Sequence, residues 1–454
     1  MAAARGEAMT LEIALAPERL DDGSPEEQAT FGMFTMRAGP SQSICLTEGR
    51  DFYIKGFRDG PMVAGYPVAE WLAWNFWRLS YEPQSRSAGW AMAHKMVNVG
   101  DGYCWPSIKI FSDGKRTTLI SNPSSETDAK PFRYVGSQPI VLPTKDWKSA
   151  VDEFMRQVLG LLDVNSIRDT NLHAVWNDVL EERLDPHLAQ CRQLEAMLGR
   201  EPGEIEDGTV ERLIADAKML GDRAITEVAA NVAVANSLNP APITADEFIQ
   251  LGKDHGVDAN ARDVVSLSPE AKLHIGRFEQ TAPWRLGVFA AQALREQEKN
   301  REAKVEDNYL AAMAGIAETA LQQEQGAPTN LSFALANKKT GDCVVLRQRW
   351  HMGKRFDLAR IIGDHVMFGV ENLHPATRSR TYRQKAQRAF AAELLSPFDV
   401  VDGMMADNYE DEEARQDVAD HFGVSERTIE TMLKNHGRLE RDFDEDQDSL
   451  FAAA

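Results

Sequence analysis

Cysteine is scarce in this chain: four residues, Cys45, Cys104, Cys191 and Cys343, with no two at Cys-x-x-Cys spacing. That excludes a thiol-redox motif or a thiolate zinc ribbon and leaves reduced, structural thiols as the expectation. Long apolar runs are missing too. None approaches the roughly 20 residues that cross a bilayer, and Met1 to Glu7 leads into no apolar signal-peptide core. The chain is therefore expected to be cytoplasmic, with no membrane partner. Basic residues are in the minority, 50 against 70 acidic, for a formal charge of -20. Such a chain repels nucleic-acid backbones unless a local basic patch intervenes, so nucleic acid is not the expected partner. The first 270 residues also lack a Gly-rich phosphate loop, a Gly-x-Ser-x-Gly elbow and any paired Cys/His metal set, and so carry no catalytic motif.

What is present reads as folded protein: 43% apolar and 26% charged residues over 454 positions, more than one ordinary domain holds. Residues 1–27 read as a flexible N-terminus and 28–143 as a mixed α/β domain. There, Phe31 to Met36, Ile44 to Thr47, Phe52 to Phe57 and Phe132 to Val135 are strand candidates. Ile108 to Ile120 carries a hairpin signal, because Asp113-Gly114 supplies the positive φ of a tight turn. Pro67 opens a helix whose Val68, Trp71, Leu72, Phe76 and Leu79 share one apolar face. Residues 144–274 read as a helical connector. Trp147, Val151, Phe154 and Val158 keep helical period, Val210 to Ala235 suggests one long helix, and Thr244 with Glu247 forms a capping-box pattern. Residues 441–454 form an acidic tail.

Two stretches in the last third carry more. Arg355-Phe356-Asp357-Leu358-Ala359-Arg360-Ile361-Ile362-Gly363-Asp364 is followed about twenty-five residues later by Phe390-Ala391-Ala392-Glu393-Leu394-Leu395-Ser396-Pro397. Both resemble the ImmA/IrrE family of bacterial metallopeptidases, which has Arg-Phe-x-Leu-Ala-His-Glu-Leu-Gly-His and Phe-Ala-Ala-Glu-Leu-Leu-x-Pro at these places. Pro283-Trp284-Arg285-Leu286-Gly287, with Leu294-Arg295 after it, is similar to the helix that introduces the family's peptidase domain, which places the start of such a domain near 275. The resemblance implies a zincin-like domain over 275–440, with a small sheet and helices; together with the mixed N-terminal domain and the helical middle read from the sequence pattern, the fold class is α+β. Strands at Thr329 to Phe333 and Cys343 to Leu346 suit that sheet.

A zinc peptidase needs two histidines four apart on one helix and a glutamate base beside the first. Here the ligand positions are Arg360 and Asp364 and the base is Ile361, so the resemblance implies a degenerate site with no cofactor. Glu393 reads as a packing residue of its helix, not a ligand. His351, His365 and His374 are the fallback ligands of an alternative, an active zinc endopeptidase cleaving a repressor or antitoxin-like protein. Arg360 and Asp364 can pair along the helix, and Arg355, Arg360, Asp364, Arg378, Arg380 and Arg383 together outline a possible ligand or partner pocket. Arg415 to Leu433 has helix-turn-helix spacing, with Gly423 at the turn, Ser425 as a cap and Ile429 facing back. Its acidic surroundings argue for a structural helix pair over a DNA reader. The function expected on this reading is a non-catalytic, regulatory protein that binds a protein partner in bacterial stress, mobile-element or phage-related settings.

Overall fold

Leu11, Ile13 and Leu15 alternate with more exposed neighbours, and this period-two pattern makes Thr10–Pro17 a strand with one buried face. The expected flexible N-terminus is thus corrected from Thr10 onward. The structure, a computed structural model, describes residues 10–85, 88–125, 131–205, 208–234, 241–260, 263–276, 281–337, 341–369 and 371–440. The acidic tail lies outside them. Mixed α+β architecture holds throughout, with small antiparallel sheets among many helices. Among the described residues no helix is long and apolar enough to cross a membrane.

The chain divides into two compact units, Met1–Val210 and Glu211–Ala454. In the first, Thr10–Pro17, Phe31–Gly39, Ile44–Cys45 and Met62–Ala64 form one sheet. The expected hairpin is present: Ser107–Ser112 pairs with Arg116–Asn122 in the register Ile110↔Leu119, with Gly114 at φ +83°. Phe52 to Phe57 is a correction. Asp51 accepts a hydrogen bond from the Tyr53 amide at 2.8 Å, which turns the chain between the short strands Gly49–Asp51 and Gly56–Arg58. The helix Thr144–Val164 buries Trp147, Phe154 and Val158 in the same core as Phe34 and Phe76, with Phe34 and Phe154 edge to face at 5.8 Å. Its apolar face therefore belongs to the N-terminal core and not to a separate connector.

The second unit begins well before residue 275. The expected long helix breaks at Gly221, whose φ of +108° no helix accommodates, into Thr209–Leu220 and Asp222–Val232. Val257–Ala259, Asp342–Val345, Ser332–Leu335 and Leu373–Ala376 form a four-stranded sheet in that order. The capping box at Thr244 is made, with Glu247 accepting the Thr244 amide at 2.8 Å. Three helices then pack together: the entry helix Pro283–Gln297, the central helix His351–Phe368 and the second helix Tyr382–Leu395.

Two glycines set how closely they approach. A Cβ on Gly287 would stand 2.3 Å from the Ala386 carbonyl oxygen, and one on Gly363 would stand 2.5 Å from the Phe390 ring. Both glycines are needed because backbone and ring of the second helix occupy the space of a side chain. Substituting Gly287→Ala is expected to destabilise the protein by roughly 1–3 kcal/mol through overpacking, read as a lower midpoint in urea denaturation.

Candidate functional site

The central helix buries the motif residues themselves: Arg355, Asp357, Arg360, Ile361 and Asp364 are all inaccessible to solvent or nearly so. A carboxylate in such a place needs strong partners, because burial penalises its charged form. Asp364 has four contacts. Arg383 donates to it from Nε at 2.6 Å and from an Nη at 2.5 Å, Gln387 Nε2 donates at 2.6 Å, and His374 Nδ1 donates at 2.8 Å. Its acid is thereby held far below the usual carboxylate range: burial opposes ionisation, and the Arg383 charge and hydrogen bonds overcome it. Arg383 also reaches Glu371 at 2.9 Å.

Arg360 and Asp364 do not pair, which corrects the helix-spacing expectation. Arg360 turns instead to Asp357 at 3.1 Å, to the Thr377 carbonyl at 2.6 Å and to Gln384 Oε1 at 2.6 Å. Partners 17 and 24 residues away in sequence satisfy the guanidinium fork better than one neighbour on its own helix. Ile361 packs in the hydrophobic core. Glu393 accepts from Gln292 Nε2 at 2.9 Å and from the Phe398 amide at 3.2 Å, tying the second helix to the entry helix and to the turn after it.

The three fallback histidines do not converge. His351 pairs with Asp307 at 2.6 Å at the start of the central helix, and Arg355 bonds the same Asp307 and the Val305 carbonyl. His365 and His374 lie together, with Nδ1 and Nε2 3.4 Å apart. The carboxylates beside them, Asp364 and Glu371, are already engaged by the Arg383 guanidinium. This donor set does not fit zinc: two imidazoles remain, next to a fixed positive charge that repels a divalent cation.

The outlined basic pocket separates into two places. Arg360, Arg378 and Arg380 line a cavity of about 580 Å³, whereas Arg355, Asp364 and Arg383 do not. Residues that sequence reading left out of the pocket complete its wall: Arg347, Lys385, Arg388 and Arg427. Lys385 and Arg388 stand three apart on the second helix and so share a face, a signal that could have found them; Arg347 and Arg427 come from distant elements.

The helix pair is built as expected. Glu412–Phe422 and Glu426–Asn435 meet at Gly423, φ +67°, and Ser425 Oγ accepts the Thr428 amide at 3.3 Å. Ile429, Met432 and Leu433 point into the core, while Arg415 and Lys434 are paired with Glu426 and Glu430 at 2.6 and 2.8 Å.

Comparison with protein families, with curated proteins and with solved structures finds no match. The resemblance to ImmA/IrrE peptidases rests on the quoted motifs.

Removing one partner of the buried pair leaves a charge without compensation, so Arg383→Met is expected to cost roughly 3–5 kcal/mol, and the double variant Arg383→Met, Asp364→Leu to recover part of that in chemical denaturation. The pH response follows from His365, whose imidazole is pushed down to about 4 by burial and by His374. The fold favours the neutral ring. Its contribution is full above the ordinary value of 6.5 and is lost as pH falls towards 4. Melting temperature is therefore expected to drop across that window, and to drop less in His365→Gln. Some slope remains in that variant, since burial also lowers the imidazole of His436.

Proposed function

We propose that the second unit is an ImmA/IrrE-like domain that has exchanged its catalytic metal for an internal ion pair and acts as a non-proteolytic, regulatory protein-binding module. The observation that carries this reading is the Asp364 carboxylate, which faces Arg383, Gln387 and His374 at 2.5 to 2.8 Å. An arginine in this place fixes the second helix to the central helix and to the strand that carries His374. A bound metal in an active peptidase would join the same elements. With Arg360 at one ligand position and Ile361 at the base position, the motif's own metal ligand and general base are missing.

Strands Ser332–Leu335 and Asp342–Val345 precede the central helix and the second helix follows it, in keeping with the family reading, and the motif glycines and Glu393 have packing roles consistent with a kept scaffold. The DNA-binding alternative gains nothing from the helix pair, whose second helix turns its apolar face inward.

Elemental analysis of the dialysed protein tests the reading. The expected result is no zinc retained and no change of melting temperature on adding a chelator. Near-stoichiometric zinc that disappears in His365→Ala or His374→Ala would replace it with the active-peptidase reading.

A further inference from the structure

The 580 Å³ cavity of the second unit is bordered by seven lysine and arginine side chains and by two carboxylates, Asp357 and Glu393. Two carboxylates balance only part of the charge of seven cations. Asp357 pairs with two of the inner cations, Arg360 at 3.1 Å and Arg347 at 3.4 Å, and also accepts from Ser332 Oγ at 2.7 Å, while burial raises the Glu393 carboxyl towards its neutral form.

The cations form two tiers. Arg347, Arg360 and Arg388 form the inner one, where burial and then repulsion from neighbouring arginines lower all three guanidinium groups, Arg388 to about 9. The Nε atoms of Arg347 and Arg360 are buried there without a hydrogen-bond partner, that of Arg347 standing 3.4 Å from an Asp357 oxygen in an ion pair. Orphaned donors and crowded like charges are both costly, and one multivalent anion relieves both. Arg378 and Arg427 stand exposed at the mouth, with Arg380 and Lys385 half-buried between the tiers. The rest of the wall mixes apolar side chains, Trp284, Val288, Met352, Phe356 and Met432 among them, with hydroxyl and amide groups such as Ser425, Thr428 and Asn435.

We infer that this cavity binds a small organic phosphate, its phosphoryl oxygens gripped by the arginines and its carbon portion laid against the Trp284 and Phe356 wall. Several guanidinium forks converging on one place suit a phosphoryl group, whose oxygens accept bidentate pairs, better than a single carboxylate. The volume is that of a small-molecule site. A long polyanion would also have to approach a chain of charge -20. The assignment goes beyond the protein-binding reading and stands whether or not the unit retains zinc.

Isothermal titration of the full chain with pyrophosphate, adenosine diphosphate and a short single-stranded oligonucleotide tests it. Saturable one-to-one binding is expected for the first two, tighter for the diphosphate that carries a base and sugar. Arg378→Gln and Arg427→Gln should each weaken it by about tenfold, the loss of one charge-assisted contact, with the ligand-free melting temperature of Arg378→Gln unchanged. Arg19→Gln, a fully exposed surface change in the first unit, should leave affinity as it was. Absence of binding at millimolar pyrophosphate would overturn the proposal, as would an equal response to sulfate at matched ionic strength. Tighter binding of the oligonucleotide would assign the cavity to a polyanion instead, and equal affinity for pyrophosphate and the nucleoside diphosphate would overturn the organic part.

Discussion

A buried carboxylate cannot stand alone, and the second unit is arranged around that constraint at Asp364. The groups that satisfy it come from elsewhere: Arg383 and Gln387 from the second helix and His374 from the strand Leu373–Ala376. Each bond fixes the position of the element that supplies it. The second helix can reach only because Gly287 and Gly363 leave room for its backbone and for Phe390. Packing and electrostatics thus depend on each other. Loosening the helix contact would lengthen the ion pair, and losing the pair would leave a charge in a core too tight to admit water.

Local signals were legible where local chemistry decides the outcome. The Asp113-Gly114 hairpin, the Thr244 capping box, the Pro283 helix and the Gly423 turn each need only a few adjacent residues, and each is present. Phe52 to Phe57 misled because aromatic residues favour strands, yet the Asp51 side chain bends the backbone first. Val257–Ala259 and Leu373–Ala376 gave no signal: each is short, and each is a strand only because a neighbour pairs with it. The same limit applies to the candidate site. That Arg360 and Asp364 matter could be read from the motif, but their partners are set by tertiary contacts, and helical spacing proposed the wrong pair.

Charge shows the contrast between whole chain and site most clearly. A formal -20 describes the average surface, while the cavity beside the central helix gathers arginines from a strand end, one loop and three helices. Composition cannot register such a concentration, because it arises from convergence and not from a run of basic residues. The Asp364 network and the basic cavity are consequently separate features of one helix. Asp364 serves the first and Arg360 borders the second.

Glu227 gives the helix Asp222–Val232 a role outside any family motif. It accepts from Thr381 at 2.7 Å and from Ser379 at 3.3 Å, and Asn231 accepts the Arg378 amide at 3.0 Å. These bonds hold the segment that leads into the second helix and carries Arg378 and Arg380. A fragment cut at residue 275 to isolate the motif-bearing part would lose them. It would also strip Val257–Ala259 from Asp342–Val345, exposing a sheet edge open to pairing with other chains. The smallest piece that can be handled in isolation therefore starts before Gly221, and a shorter one is expected to aggregate for reasons unrelated to its function.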